Sequence, residues 1–280
     1  MRIPTPTLAP ALPLSPQVFS ILSSLVAERA GLHFDTTHLS TFADKVSIRV
    51  YESGFTSFID YYYFLRYDPA GEAELQDLVE ALVIGETYLF RELAPLETLV
   101  SRFVVPAIGC GRRVRIWCAA CATGEEPHTL ALILASRGIL DEVEIVGSDI
   151  NRTALARARQ GRFTHRALRQ EVPAFAAPWL QVTEDRVIVR PNLTKAIDWR
   201  HINLMDDATI ATMGSFDVVV CRNVFIYFND QTVRRIVARL SASLRRGGAL
   251  FVGVSESLLR LGTSLGCEEQ DGVFFYRKAA

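Results

Sequence analysis

Residues 117–127 read Trp117-Cys118-Ala119-Ala120-Cys121-Ala122-Thr123-Gly124-Glu125-Glu126-Pro127. They complete Arg113–Ala119, a short apolar run that predicts a strand, and lead into Pro127–Ala135, whose apolar residues continue as a helix. Small residues and a glycine between strand and helix let a ligand approach the backbone closely. A second strand is expected at Val143–Ser148, closing on Asp149, where an acid is placed to accept hydrogen bonds from ribose hydroxyls. Strand, tight turn, helix, strand and acid together point to an adenosine-type cofactor.

Outward from this turn the chain keeps the same rhythm. A helix is expected at Arg152–Gln160, and Phe216–Cys221 is a continuous apolar strand of the kind buried on both faces. Asp230 opens a helix lined on one side by Val233, Ile236, Val237, Leu240 and Leu244; Gly247-Gly248 is expected to end it before a strand at Ala249–Val254. Repeated β-α-β units imply a parallel sheet wrapped by helices. One segment breaks the pattern: Trp179–Val182 and Arg186–Val189, joined by Thr183-Glu184-Asp185, predict an inserted β-hairpin at about 176–200.

Towards the N-terminus strand alternation stops. Phe19, Leu22, Leu25, Val26 and Ala30 fall on one helical stripe that Gly31 ends, and further helices are expected at Leu39–Tyr51, Phe55–Leu65 and Glu72–Val83. Pro4, Pro6, Pro10 and Pro13 each remove a backbone donor. The expected organisation is a flexible tail at 1–14, an all-helical domain at 15–105, and an α/β cofactor-binding domain at 106–280 carrying the hairpin.

Hydrophobic residues make up 49% of the 280 and charged residues 22%, the composition of a folded protein. A formal net charge of −1 gives no global field towards nucleic acid or an anionic membrane, and no apolar stretch approaches membrane-spanning length. Five cysteines with no secretion signal fit a reduced, cytoplasmic setting. Cys118-x-x-Cys121 has a redox or zinc spacing but lacks a second pair, so no metal is expected, and His128, His165 and His201 are scattered as structural histidines are.

The cofactor class follows from charge. A dinucleotide rests its pyrophosphate on a helix N-terminus, yet that position carries Glu125 and Glu126, which repel phosphates, and the G-x-G-x-x-G and Walker patterns are missing. Two acids suit a cation such as the sulfonium of S-adenosylmethionine. Thr123-Gly124-Glu125-Glu126 is equally a capping box, in which Thr123 and Glu126 close the helix start reciprocally.

The turn resembles the cofactor loop of the CheR family, the chemoreceptor glutamate methyltransferases. Phe216-Asp217-Val218-Val219-Val220-Cys221-Arg222-Asn223-Val224-Phe225-Ile226-Tyr227-Phe228 is similar to that family's second signature, and Glu86-Thr87-Tyr88-Leu89-Phe90-Arg91-Glu92 to its third; Ser148-Asp149-Ile150 and Asn203-Leu204 match shorter elements in order. The likeness runs from about Pro16. It implies a Rossmann-like α/β sheet with an N-terminal all-helical domain and a small inserted β-subdomain. It also implies S-adenosylmethionine as methyl donor, with S-adenosylhomocysteine as product, and transfer to glutamate side chains of a chemoreceptor's cytoplasmic domain in sensory adaptation. A monomer that neither inserts into membranes nor binds nucleic acid is expected.

The same resemblance implies cofactor contacts at Thr87, Arg91, Gly124, Glu126, Asp149, Asn203, Leu204, Asn223 and Val224, and places Arg91 and Tyr227 at the reacting centre. Taken without it, Arg91 reads as the partner of Glu92 or Glu86 in a surface ion pair, and Tyr227 as a core aromatic. Gly85 and Val254 stand where relatives often carry asparagine and histidine, and the stretch His38–Gly54, basic in relatives, keeps mainly Lys45 and Arg49. The hairpin turn lacks the glycine of relatives that dock a receptor's C-terminal peptide, so that tether is expected to be absent.

Overall fold

The structure, a computed structural model, describes residues 12–280; most of the expected tail, with Pro4, Pro6 and Pro10, lies outside the described residues. The chain divides into two compact units, one ending at Ile84 and one comprising Gly85–Ala280.

The first unit is helical: α1 (Pro16–Ala30), α2 (Leu39–Glu52), α3 (Phe58–Tyr67) and α4 (Gly71–Leu82). The Ser15 hydroxyl caps α1 by accepting from the Val18 amide, Pro16 occupies its first turn, and Gly31 ends it at φ 77°. The predicted stripe of Phe19, Leu22, Leu25, Val26 and Ala30 is buried. Lys45 and Arg49, read as the remnant of a basic surface, are turned to internal work. Lys45 Nζ donates to the Leu82 carbonyl at 3.2 Å, and Arg49 reaches Glu74, Asp77 and Glu52. The Tyr61 hydroxyl joins them by donating to Glu74 at 2.6 Å.

The second unit opens with α5 (Leu93–Leu99), a π-helical turn at Val100–Val104, and α6 (Val105–Gly109). The absence of strand alternation before Val114 groups this stretch with the preceding helices, hence the expected boundary at 105/106. Its side chains decide otherwise: Leu96, Leu99, Val100 and Val104 belong to the core of the sheet, and Phe103 meets Phe251 and Phe275 edge-on at 5.9 and 5.5 Å.

There follow β1 (Val114–Ala119), α7 (Glu125–Ser136), β2 (Val143–Asp149), α8 (Arg152–Ala158), β3 (Arg162–Thr164), β4 (Leu180–Val182), β5 (Arg186–Val189), α9 (Pro191–Lys195), β6 (Ile197–His201), α10 (Asp207–Thr212), β7 (Phe216–Val220), α11 (Asp230–Ser243), β8 (Leu244–Phe251), β9 (Gly266–Gln270) and β10 (Val273–Arg277). The main sheet has the order β6-β2-β1-β7-β8-β10-β9. Its first five strands are parallel, and β10 and β9 run antiparallel at one edge. From β1 the chain steps outward through β2 to β6, then returns to the other side at β7. The order therefore reverses between β1 and β7, and open α/β sheets bind ligands outside the carboxyl ends of strands at such a point.

The inserted subdomain is a three-stranded antiparallel sheet, β3-β5-β4, where the sequence suggested a two-stranded hairpin. Three residues of β3 are too few for an alternation to register, and residues 197–200 belong to β6 of the main sheet. The glycine-free turn is closed by Thr183, whose amide donates to the Arg186 carbonyl and whose hydroxyl accepts from the Arg186 amide. A second difference concerns α11, which ends at Ser243 instead of Gly247-Gly248. There Lys278 Nζ donates to the carbonyls of Ser241 and Leu244, and β8 starts at once and runs through both glycines. Among the described residues no helix is long and apolar enough to cross a membrane.

His128, on α7, shows how the sheet and its helices are locked. Its Nδ1 lies 2.6 Å from the Gly124 carbonyl and so carries the proton, while Nε2 accepts from the Thr194 hydroxyl at 3.1 Å. The ring stacks at a tilt on Trp199, and burial pushes its pKa down from 6.5 to about 4. An imidazole held neutral in the fold but free to protonate when unfolded stabilises the protein above its unfolded pKa, and that stability is lost as pH falls from 6.5 towards 4. Denaturant titrations should show a loss of about 2 kcal/mol between pH 7 and pH 5. His128→Gln should flatten that dependence; equal slopes in the two proteins would remove His128 from the account.

Candidate active site

The loop after β1 approaches the crevice through three left-handed residues, Ala120, Ala122 and Gly124, at φ 55°, 49° and 88°. For the alanines this conformation costs roughly 1–2 kcal/mol each. Hydrogen bonds offset it: the Cys121 amide donates to the Ser148 carbonyl at 2.9 Å, and the Ala122 amide to Asp149 Oδ2 at 2.7 Å. Gly124 is required on two counts, since a Cβ there would lie 2.7 Å from both Ala158 and Trp199.

That left-handed Gly124 is itself the residue before α7, so no side chain caps this helix. The capping box does not form. Thr123 donates instead to Glu125 Oε2 at 2.7 Å, and Glu126 pairs elsewhere. Glu125 and Glu126 therefore do not face the crevice as an unshared acid pair. Burial raises the Glu125 carboxyl above its ordinary value, against the Thr123 hydrogen bond.

Asp149 ends β2 as expected. Oδ2 receives the Ala122 amide and Oδ1 the Asn151 amide, the latter at 2.8 Å. Burial raises its pKa, and the backbone donors oppose that rise. A carboxylate can accept about four hydrogen bonds, so the anchored group retains capacity for ligand hydroxyls. Asn203 and the buried Leu204 follow β6, next to β2 in the sheet, where Asn203 Oδ1 accepts from the Met205 amide at 2.9 Å.

The loop after β7 is organised by a residue the sequence reading passed over. Glu256 is buried and accepts from four backbone amides, those of Gly253, Asn223, Val224 and Phe225, at 2.7–2.8 Å. This holds Asn223 at φ 59° and fixes Asn223 and Val224 at the carboxyl end of β7. Gly253 makes room, because a Cβ there would meet Asn223 Nδ2 and Glu256 Oε2 at 2.7 and 2.8 Å.

Arg222, also passed over, lies within the quoted signature with its side chain 1% exposed. One guanidinium nitrogen donates to Glu126 Oε2 at 2.9 Å; another donates to Glu92 Oε2 at 2.8 Å and to the Arg91 and Glu92 carbonyls at 3.0 and 3.3 Å. Burial raises the Glu126 carboxyl while Arg222 pulls it back. Burial also opposes ionisation of Glu92, but Arg222 and the Val254 amide together bring it below its ordinary value.

Arg91 itself sits between two left-handed residues, Phe90 at φ 63° and Glu92 at φ 46°. Its guanidinium donates to the Glu86 carbonyl at 3.1 Å, lies 5.6 Å from the centre of the Tyr88 ring, and forms no ion pair among the described residues. The ion pairs that offered an alternative reading do not occur, because Glu86 binds Arg169 and Glu92 binds Arg222. Tyr227 is half-buried rather than a core residue; burial raises its hydroxyl above 10, and the nearby Arg91 charge lowers it in part. Thr87 is also half-buried, in the Glu86–Glu92 segment.

Cys118 and Cys121 are buried free thiols pushed up by burial, and among the described residues no group of three or more potential ligands is placed to hold a metal ion. A reversal point, a close-approach loop and an amide-anchored acid fit S-adenosylmethionine. Glu256→Gln keeps the side chain's shape but turns an NH₂ towards amides that need an acceptor. It should cost about 2 kcal/mol in urea unfolding and weaken S-adenosylhomocysteine binding in calorimetry; unchanged affinity would detach this loop from the cofactor.

Known proteins add to this geometry. A family model described as the CheR methyltransferase SAM binding domain matches residues 85–273, and one described as the CheR methyltransferase all-alpha domain matches residues 17–83. Chemotaxis protein methyltransferase 2 of Vibrio cholerae is 31% identical over 240 residues, covering 84% of this chain and 83% of that protein. A probable chemotaxis protein methyltransferase of Rhizobium etli is 32% identical over 243 residues, covering 83% and 89%. Chemotaxis protein methyltransferase 1 of Pseudomonas aeruginosa is 34% identical over 197 residues, covering 66% and 70%. With both units matched, the chain belongs to the CheR family of S-adenosylmethionine-dependent methyltransferases.

Proposed function

We propose that this enzyme methylates glutamate side chains on the cytoplasmic domain of a chemoreceptor or receptor-like signalling protein, acting in the cytoplasm as a monomer. The observation that carries this reading is Arg91, a guanidinium with no carboxylate of its own, held in a strained turn beside Tyr227. The names of the curated relatives, chemotaxis methyltransferases, agree with it.

A glutamate has a reference pKa of about 4.3, so the acceptor is ionised at neutral pH and needs no general base. S-adenosylmethionine, when bound, would supply an electrophilic methyl group for the acceptor carboxylate oxygen, with the thioether sulfur as leaving group. Arg91 orients the carboxylate, and Tyr227 donates a hydrogen bond without adding charge. Asp149 would take the ribose hydroxyls, and Thr87, Gly124, Glu126, Asn203, Leu204, Asn223 and Val224 would line the cofactor. Excluding water matters because opposite charges are being cancelled. In this reading the subdomain turn closed by Thr183 docks no receptor C-terminal peptide.

Incubation with methyl-labelled S-adenosylmethionine and receptor-bearing membranes should give label that alkali releases as volatile methanol. Alkali-stable label would mean another acceptor, and bound cofactor without label a silent module. Arg91→Ala should cut methylation by about a hundredfold while changing S-adenosylhomocysteine affinity far less. Full activity in that variant would end the role given to Arg91.

A further inference from the structure

Arg222 is larger in its consequences than a buried ion pair. Its fork joins three segments distant in sequence: the loop after β7, Glu126 on α7 and the turn carrying Arg91. On that turn it grasps the carbonyls of Arg91 and Glu92, one on each side of the Glu92 α-carbon, where the chain adopts left-handed conformations at Phe90 and Glu92. Such conformations persist only where the surroundings over-determine them. Before Arg91 the turn is held by other groups: the Leu89 amide donates to the Ala167 carbonyl, the Phe90 amide to the Thr129 hydroxyl, and Gln170 donates to the Phe90 carbonyl. On the other side, Arg222 clamps the Arg91 and Glu92 carbonyls and, with the Val254 amide, occupies the carboxylate that Arg91 would otherwise meet as its sequence neighbour.

We propose that Arg222 is the positioning residue for Arg91: it holds the strained turn against α7 and keeps Glu92 engaged, so that the Arg91 guanidinium stays available to an acceptor carboxylate. Arg222 touches neither acceptor nor methyl group and acts through Arg91 alone. The inference rests on the role proposed for Arg91. In its absence Glu92 is released, the turn relaxes, and Arg91 closes on Glu92.

A kinetic double-mutant cycle on the full chain tests this, using labelled S-adenosylmethionine and receptor-bearing membranes. Arg222→Gln alone should lower kcat by about a hundredfold, with much smaller changes in KM for S-adenosylmethionine and in S-adenosylhomocysteine affinity. In an Arg91→Ala background the same change should cost little further, because one group acting through another gives non-additive effects. Multiplying effects would overturn the inference and leave the role of Arg91 standing; full activity of Arg91→Ala alone would overturn both. Arg222→Lys keeps the charge that two carboxylates demand but not the planar fork, and it carries the same cycle should the glutamine variant fail to fold. A lysine variant with wild-type kcat would show that charge suffices and that clamping the turn does not matter.

Discussion

A buried guanidinium between two carboxylates is the constraint on which the site depends. Removing one partner from such a group costs about 3–5 kcal/mol, because a charge is left in a medium that cannot solvate it. Arg222, Glu92 and Glu126 therefore come as a set. The set fixes distances between segments that nothing in the sheet would otherwise align. The sheet places strand ends; the ion cluster decides how the loops leaving them face one another.

The same device recurs in simpler form at Asp149 and Glu256. Each is a carboxylate at a strand end or in a following loop, and each gathers backbone amides from loops in left-handed conformations. Unfavourable backbone angles are held by charge-assisted hydrogen bonds, which are roughly twice as strong as neutral ones. The loops are thereby shaped before a ligand arrives, and less binding free energy is spent on ordering them.

Much of this was legible from residue order. Parallel strands buried on both faces announce themselves as apolar runs, so β1, β2 and β7 were expected nearly where they lie, and Asp149 at the end of β2 followed. The short β3 was not, since three residues carry no period. The segment Leu93–Gly109 was grouped with the helical unit because it shows no strand alternation, which does not say what its side chains pack against. The capping box failed for a conformational reason: Gly124 at φ 88° cannot let Thr123 and Glu126 meet across the helix start. Arg222 and Glu256 were missed because their partners are remote in sequence; a charge directly after an apolar strand, and a carboxylate near a glycine, were the available signals.

The inward turn of Lys45 and Arg49 changes how this protein would meet an acidic partner. Arg49 is already neutralised by Glu74 and Asp77, and Lys45 is held against a helix-end carbonyl, so both reach little beyond the Debye length, about 8 Å at physiological ionic strength. The α2 face would then contribute little electrostatic steering to such an encounter.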